Sequence, residues 1–157
     1  KLLEAAKLLR NQGCDFTLVV AGDGPLKNDL VNSKSPWMKY VGRLNQADLS
    51  ALLKESDCFC LPTEYPEGLP TILLEAAVQN NAIIVSDCAG AREIIPNKKY
   101  GIVLEEVSAQ SIADAIMALL ENRELTSYLA NNASRHVKEG FSWKQSASQL
   151  IKLLDQK

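Results

Sequence analysis

The chain is poor in most of what marks a specialised small protein. It has one histidine, His136, in 157 residues, with no base partner nearby in sequence to make it catalytic. It has four cysteines, Cys14, Cys58, Cys60 and Cys88, and no Cys-x-x-Cys pair. Cys58 and Cys60 would share one face of a strand, a spacing that suits neither zinc nor a redox pair. We read all four as small core hydrophobes in a reducing cytosol. Asn132-Ala133-Ser134 matches the glycosylation sequon, a chance match in such a compartment. No apolar run approaches the ~20 residues of a membrane-spanning helix. Excess charge is lacking too: a net charge of −2 leaves no electrostatic footprint for nucleic acid. There are no internal repeats and no low-complexity segments. The phosphate-binding signatures are incomplete. Gly22-Asp23-Gly24-Pro25 lacks both the full G-x-G-x-x-G and the Gly-Lys-Ser/Thr of a P-loop.

What is present is a regular alternation. A hydrophobic fraction of 46% over 157 residues fits one globular domain with a full core. Lys1-Leu2-Leu3-Glu4-Ala5-Ala6 is already in helical register without an initiator Met, and we expect the chain to be part of a longer one. Leu2, Leu3, Ala6 and Leu9 predict a helix over 2–11. The apolar run 16–21 predicts a buried parallel strand. Further strands are predicted at 38–42, 57–62, 82–86 and 100–104. Helices are predicted between them, at roughly 25–33, after an Asn45 cap, at 70–79 and over 92–95. The remainder reads as three helices. Ile112, Ile116, Leu119 and Leu120 mark the first, and Leu125, Tyr128, Leu129 and Val137 the second. The third has Ser142 and Gln145 as a capping box and Trp143, Ala147, Leu150, Ile151 and Leu154 as its stripe. His136 borders the second stripe and reads as a structural histidine.

This order predicts an α/β fold: one doubly wound parallel sheet in a single domain, with a helical C-terminal segment. Such sheets bind ligands beyond the carboxyl ends of their strands. Loops 22–25, 42–45, 61–70 and 86–91 all fall on that edge.

The chain is organised around Glu67-Gly68-Leu69-Pro70-Thr71-Ile72-Leu73-Leu74-Glu75-Ala76. Gly68 permits close backbone approach, and Pro70 suits the first helical position. The free amides that follow form an anion cradle at the positive end of the helix dipole. Helical side chains lean toward the N-terminus, so Glu75 leans back to that cradle from ~6 Å along the axis. A carboxylate beside an anion cradle does not hold phosphate, but it accepts hydrogen bonds from hydroxyls. A ligand with both groups, such as a nucleotide sugar, fits. Against this stands the plain alternative that the dipole merely favours acids near a helix start.

Several motifs then occur in a familiar order: Gly22-Asp23-Gly24-Pro25, Val41-Gly42-Arg43-Leu44, Leu61-Pro62-Thr63, Glu67-Gly68-Leu69-Pro70, Leu74-Glu75-Ala76, and Ile84-Val85-Ser86-Asp87 with Gly90 and Glu93. Together they resemble the C-terminal, donor-binding domain of group 1 retaining glycosyltransferases, which have the two-domain GT-B fold with Rossmann-like halves. The resemblance implies that Glu75 holds the ribose hydroxyls and that Glu67 faces the donor sugar as the catalytic residue. It places Gly68, Leu69, Pro70 and Thr71 around the sugar and diphosphate, Gly42, Arg43 and Leu44 against the base, and Gly22 and Gly24 at the pocket border. It implies a UDP-, GDP- or ADP-sugar donor, no obligatory metal or other cofactor, and a glycan, lipid or polysaccharide acceptor bound by an N-terminal domain that this chain lacks. The enzyme would be cytosolic or membrane-peripheral.

Two departures stand out. The family's Arg and Lys on the diphosphate come from a segment that would precede Lys1, and Arg43 does not replace them. Asn80-Asn81 replaces a small residue and Gly, a change expected to alter only the turn. Two other readings stay open: a sugar-nucleotide epimerase of similar architecture, and a non-catalytic α/β interaction module.

Overall fold

A helix follows each strand, and every strand pair is parallel. The computed structural model describes residues 1–33, 35–65, 68–88 and 90–154, without the side chains of Trp143, Lys144, Ser146 and Gln149. The elements are α1 (Leu2–Asn11), β1 (Leu18–Ala21), α2 (Lys27–Asn32), β2 (Met38–Gly42), α3 (Gln46–Lys54), β3 (Cys58–Leu61), α4 (Thr71–Val78), β4 (Ala82–Ser86), α5 (Ala91–Ile94), β5 (Ile102–Leu104), α6 (Ala109–Glu121), α7 (Arg123–Gly140) and α8 (Trp143–Leu154). The predicted order is therefore the observed one, with boundaries shifted by a few residues.

β4 is the axis of the core. All five of its residues are buried, and its period-2 alternation divides the apolar side chains between two clusters. Ala82 and Ile84 join Ala5 and Leu9 of α1 and Ile112 and Leu119 of α6 on one face. Ile83 and Val85 join Leu73 and Ala77 of α4 and Ala91 and Ile94 of α5 on the other. α7 supplies both, with Leu129 and Ala130 to the first cluster and Ala133 and Val137 to the second. Each fully buried Ile or Leu contributes roughly 1.5–3 kcal/mol of transfer free energy. β3 alternates likewise. Cys58 and Cys60 pack on the first cluster, Phe59 and Leu61 on the second. The cysteines are thus free core thiols on one face. Burial pushes both thiols up, Cys60 to about 12.

The sheet is not one continuous ladder. β1 pairs only with β2, and β3-β4-β5 form a second block. Among the described residues no ladder joins β1 to β3. The parallel, helix-covered α/β layering is as predicted, but the hydrogen bonding is divided.

Local chemistry sets the helix ends. Asn45 caps α3 by accepting from the Asp48 amide at 2.9 Å, and Ser108 with Ser111 forms a capping box on α6. Asn80 closes α4 at φ +66°, a left-handed position that Asn tolerates. Asn81 does more than alter a turn. It is fully buried, and its amide donates to the carbonyls of Leu53 at 2.8 Å and Ser56 at 2.5 Å. It thereby ties the end of α3 to the start of β4.

His136 is structural, as expected. Its Nε2 lies 3.1 Å from the Glu93 carbonyl, and its ring packs against Tyr100 and Phe141. The stripe predicted for α8 is not buried: Leu150, Ile151 and Leu154 are each more than half exposed. The Ser142 hydroxyl accepts from the Gln145 amide at 3.2 Å, one half of the predicted box.

Candidate functional site

The loops at the carboxyl ends of the strands carry the predicted residues, and a few bonds stitch those loops together. The first joins the ends of β1 and β2. The Gly22 amide donates to the Gly42 carbonyl at 2.7 Å, and the Tyr40 hydroxyl donates to the Gly22 carbonyl at 2.9 Å. Gly22 at φ +128° and Gly42 at φ +68° adopt backbone that side chains disfavour. The strands can therefore end side by side and turn sharply outward. Within the first loop Asp23 is already engaged. It accepts from the Gly24 amide at 3.1 Å and pairs with Lys27 at 3.5 Å. Arg43 is exposed and has no hydrogen-bond or ion-pair partner among the described residues.

The second bond joins the loop before α4 to the loop before α5. The Gly90 amide donates to the Gly68 carbonyl at 2.9 Å. A Cβ on Gly90 would lie 2.5 Å from both the Gly68 carbonyl oxygen and the Leu69 Cα. A Cβ on Gly68 would meet nothing within 4 Å. Within the chain the backbone contact that leaves no room for a Cβ is therefore at Gly90, while Gly68 borders open space. Asp87, also in that loop, is held by Arg92 through a fork of 3.0 and 2.8 Å. The fork keeps the Asp87 carboxyl below its ordinary range.

α4 starts one residue later than predicted. Pro70 is buried and extended at the cap, at φ −70° and ψ 97°, and Thr71 opens the helix. The amides of Thr71 and Ile72 have no carbonyl of their own helix to bond. No acid stands in the first turn and no side chain caps it, so the end keeps its positive partial charge.

Glu75, the fifth residue of α4, is half-buried. Its side chain turns toward the start of α3, where Gln46 Nε2 donates to its Oε2 at 2.8 Å. This is the third stitch, and it links α4 to the helix that follows Gly42-Arg43-Leu44. The sequence reading missed Gln46. The available signal was the Asn45 cap, which fixes the next residue at the first position of α3, on the edge where the ligand loops gather. Glu75 and Gln46 stand in the wall of a groove of about 240 Å³. A larger depression, about 380 Å³ between Asn80 and the outer side of α7, contains none of the predicted residues.

The structure thus brings Gly22, Gly24, Gly42, Arg43, Leu44, Gly68, Leu69, Pro70, Thr71 and Glu75 to one edge. Glu67 lies outside the described residues, with Lys34, Pro66, Ala89 and residues 155–157. Among the described residues no cluster of His, Cys, Asp or Glu could hold a metal ion. Such an edge presents backbone amides for an anion and a carboxylate for hydroxyls.

Residues 1–136 match the family model described as glycosyl transferases group 1. The chain is 35% identical over 133 residues to N,N'-diacetylbacillosaminyl-diphospho-undecaprenol alpha-1,3-N-acetylgalactosaminyltransferase of Campylobacter jejuni, covering 84% of this chain and 34% of that protein. It is 30% identical over 145 residues to UDP-Gal:alpha-D-GlcNAc-diphosphoundecaprenol alpha-1,3-galactosyltransferase of Escherichia coli, covering 88% of this chain and 37% of the relative. In fold it matches sucrose-phosphate synthase from Thermosynechococcus elongatus with a TM-score of 0.81, at 20% identity, over 99% of this chain and 42% of that one. The chain therefore spans about a third of the length of the curated relatives it matches.

Proposed function

The chain belongs to the group 1 glycosyl transferases, and on that premise we propose that it is the donor-binding half of a retaining glycosyltransferase. In this reading a nucleotide sugar lies along the carboxyl edge of the strands. Glu75 accepts hydrogen bonds from the ribose hydroxyls. The base rests on Gly42-Arg43-Leu44, with Gly22 and Gly24 at the border. The amides of Gly68, Leu69 and Thr71 and the ring of Pro70 surround the diphosphate and the sugar. Glu67 faces the reacting carbon. As the glycosidic bond breaks, negative charge grows on the departing diphosphate, and preorganised amides at the start of α4 stabilise it without reorganisation.

The observation that supports this best is the state of Glu75. A carboxylate that only served the helix dipole would sit in the first turn and bond free amides. Glu75 lies beyond that turn and makes no cap bond. It points to the start of α3 and keeps Oε1 without a partner among the described residues.

The names of the two relatives carry the reading further. Each names a sugar transfer to an undecaprenol-linked acceptor, and one names UDP-Gal. We assign this chain's whole enzyme to the same class: sugar transfer from a nucleotide-sugar donor to a lipid-linked or glycan acceptor, at the membrane surface. No helix among the described residues is long and apolar enough to cross a membrane. The acceptor site belongs to a further domain. The divided ladder supports a second part of this proposal, that a parallel strand of the longer polypeptide fits between β1 and β3. Lys1 at the start of α1 pairs with Glu64 beyond the end of β3 at 2.5 Å. A strand leading into α1 would then finish at the same edge as the others.

Calorimetric titration with UDP, GDP and ADP tests the reading. One of the three binds saturably. Glu75→Gln weakens it by ~10- to 100-fold, the equivalent of losing hydrogen bonds to a charged group, while the melting temperature stays within a degree or so of the parent's. Equal affinity in Glu75→Gln would reject the assignment.

A further inference from the structure

We propose that Gln46 is a positioning residue for Glu75, one that fixes which edge of the carboxylate meets the ligand. The inference rests on the donor-site reading above and adds to it a residue that neither the motifs nor the spacing identified.

Three polar contacts join α3 to α4 and to the turn that follows it. Gln46 donates to Glu75 at 2.8 Å. One turn further along both helices, Gln79 donates to the Ser50 hydroxyl at 2.7 Å. At the far end the buried Asn81 amide donates to the Leu53 and Ser56 carbonyls. The last rung is buried and bonded twice, and Leu53 is itself in the core. It holds the end of α3 to the turn between α4 and β4. The Gln46 rung is exposed and adds little to stability, as exposed polar pairs do. What it does fix is the carboxylate.

The geometry shows how. Asn45 caps α3 and is itself held by Asp48, through bonds of 2.9 and 2.8 Å. The base of the Gln46 side chain is therefore anchored two residues after Leu44. Its amide donates to Oε2 and leaves Oε1 whole, together with the second lone pair of Oε2. A carboxylate held by one oxygen offers a fixed pair of acceptors, which suits two vicinal hydroxyls. A free Glu side chain would sample several rotamers and lose that entropy on binding. The same bond links the loop proposed to meet the base to the carboxylate proposed to meet the ribose.

The test uses the 157-residue chain and measures affinity for UDP, GDP and ADP and for the 2′-deoxy form of each. Three variants accompany it. Gln46→Met keeps the length and removes the donor, Gln46→Lys restores a donor, and Ser50→Ala breaks the neighbouring rung. Gln46→Met is expected to weaken the ribonucleotide about fivefold and to leave the deoxynucleotide nearly unchanged, so the preference for ribose falls. Gln46→Lys recovers that preference, and Ser50→Ala keeps it. A ribose preference lost in Glu75→Gln but intact in Gln46→Met overturns the positioning role and leaves the donor-site reading standing. An equal loss for both sugars in Gln46→Met also overturns it, since that is the mark of a general structural effect. Failure of the unsubstituted chain to bind any ribonucleotide overturns the reading and the inference together.

Discussion

The two blocks of the sheet are built to different standards. Around β4 every strand residue is buried, and five helices close over its faces. Around β1 and β2 the cover is thin. α2 has no buried residue, and Leu26, Val31 and Val41 are 65%, 59% and 42% exposed. Both blocks contribute loops to the same edge. The β4 side supplies Glu75, Gly68 and the start of α4, while the β1–β2 side supplies the two glycine turns. The difference separates two tasks. A densely packed half can hold a carboxylate and a helix end to a fraction of an ångström. A lightly packed half is free to vary its turns, the ones proposed above to meet the base.

Substitutions can break or sharpen this contrast. The largest effect belongs to the packed half. Ile84→Ala removes a fully buried side chain and is expected to cost about 2–5 kcal/mol of stability in urea unfolding. Val31→Ala, on α2, should stay within about 0.5 kcal/mol. Equal losses would show that the halves are equally packed and would remove the contrast.

Gly90→Ala comes next. Its Cβ would strike the Gly68 carbonyl and the Leu69 Cα, so one loop must move. We expect about 1–3 kcal/mol of destabilisation, together with a measurable fall in nucleotide affinity, because the displaced segment leads into α4. Gly68→Ala serves as the comparison, since the space around it is open. Affinity that is unchanged in Gly90→Ala would mean that the loop does not touch the ligand.

A last prediction is a pH dependence in the packed half, silent at neutral pH and seen only in alkali. The Cys60 thiol is pushed up from 9.0 to about 12 by burial, and Cys58 is pushed up as well, first by burial and then by Cys60 and Asp57. The unfolded chain therefore loses these protons first. The stabilisation tied to the neutral thiols is complete below pH 9.0 and is lost as pH rises toward about 12. The urea midpoint should fall over that interval, and it should fall less in the Cys58→Ala/Cys60→Ala double variant. A double variant with the same alkaline slope would place the titrating groups elsewhere.

Much of this was legible in the residues. Period-2 and period-3.6 patterns located the elements, and the rule for parallel sheets brought four loops to one edge before any coordinate. What escaped was the contact between distant segments. Gly68 stands next to the glutamate and is visible in the motif, whereas the backbone contact that excludes a Cβ is at Gly90, twenty-two residues on. No local pattern encodes which of two facing backbones must lack a Cβ. Asn81 read as a turn residue because its partners, the Leu53 and Ser56 carbonyls, lie more than twenty positions earlier. Gln46 belongs to no motif, because its bond to Glu75 joins residues twenty-nine positions apart. The stripe on α8 misled for the opposite reason. Periodicity reports that a face is apolar, and it is silent on whether anything within the described residues covers it.

The most direct test is an amide chemical-shift titration of this chain with UDP, GDP and ADP. The account predicts saturable shifts for one nucleotide at Gly42 and Leu44, at Gly68 and Thr71, and at Glu75 and Gln46, and their loss in Glu75→Ala. Shifts confined to the outer side of α7, or the same shifts in Glu75→Ala, would contradict it.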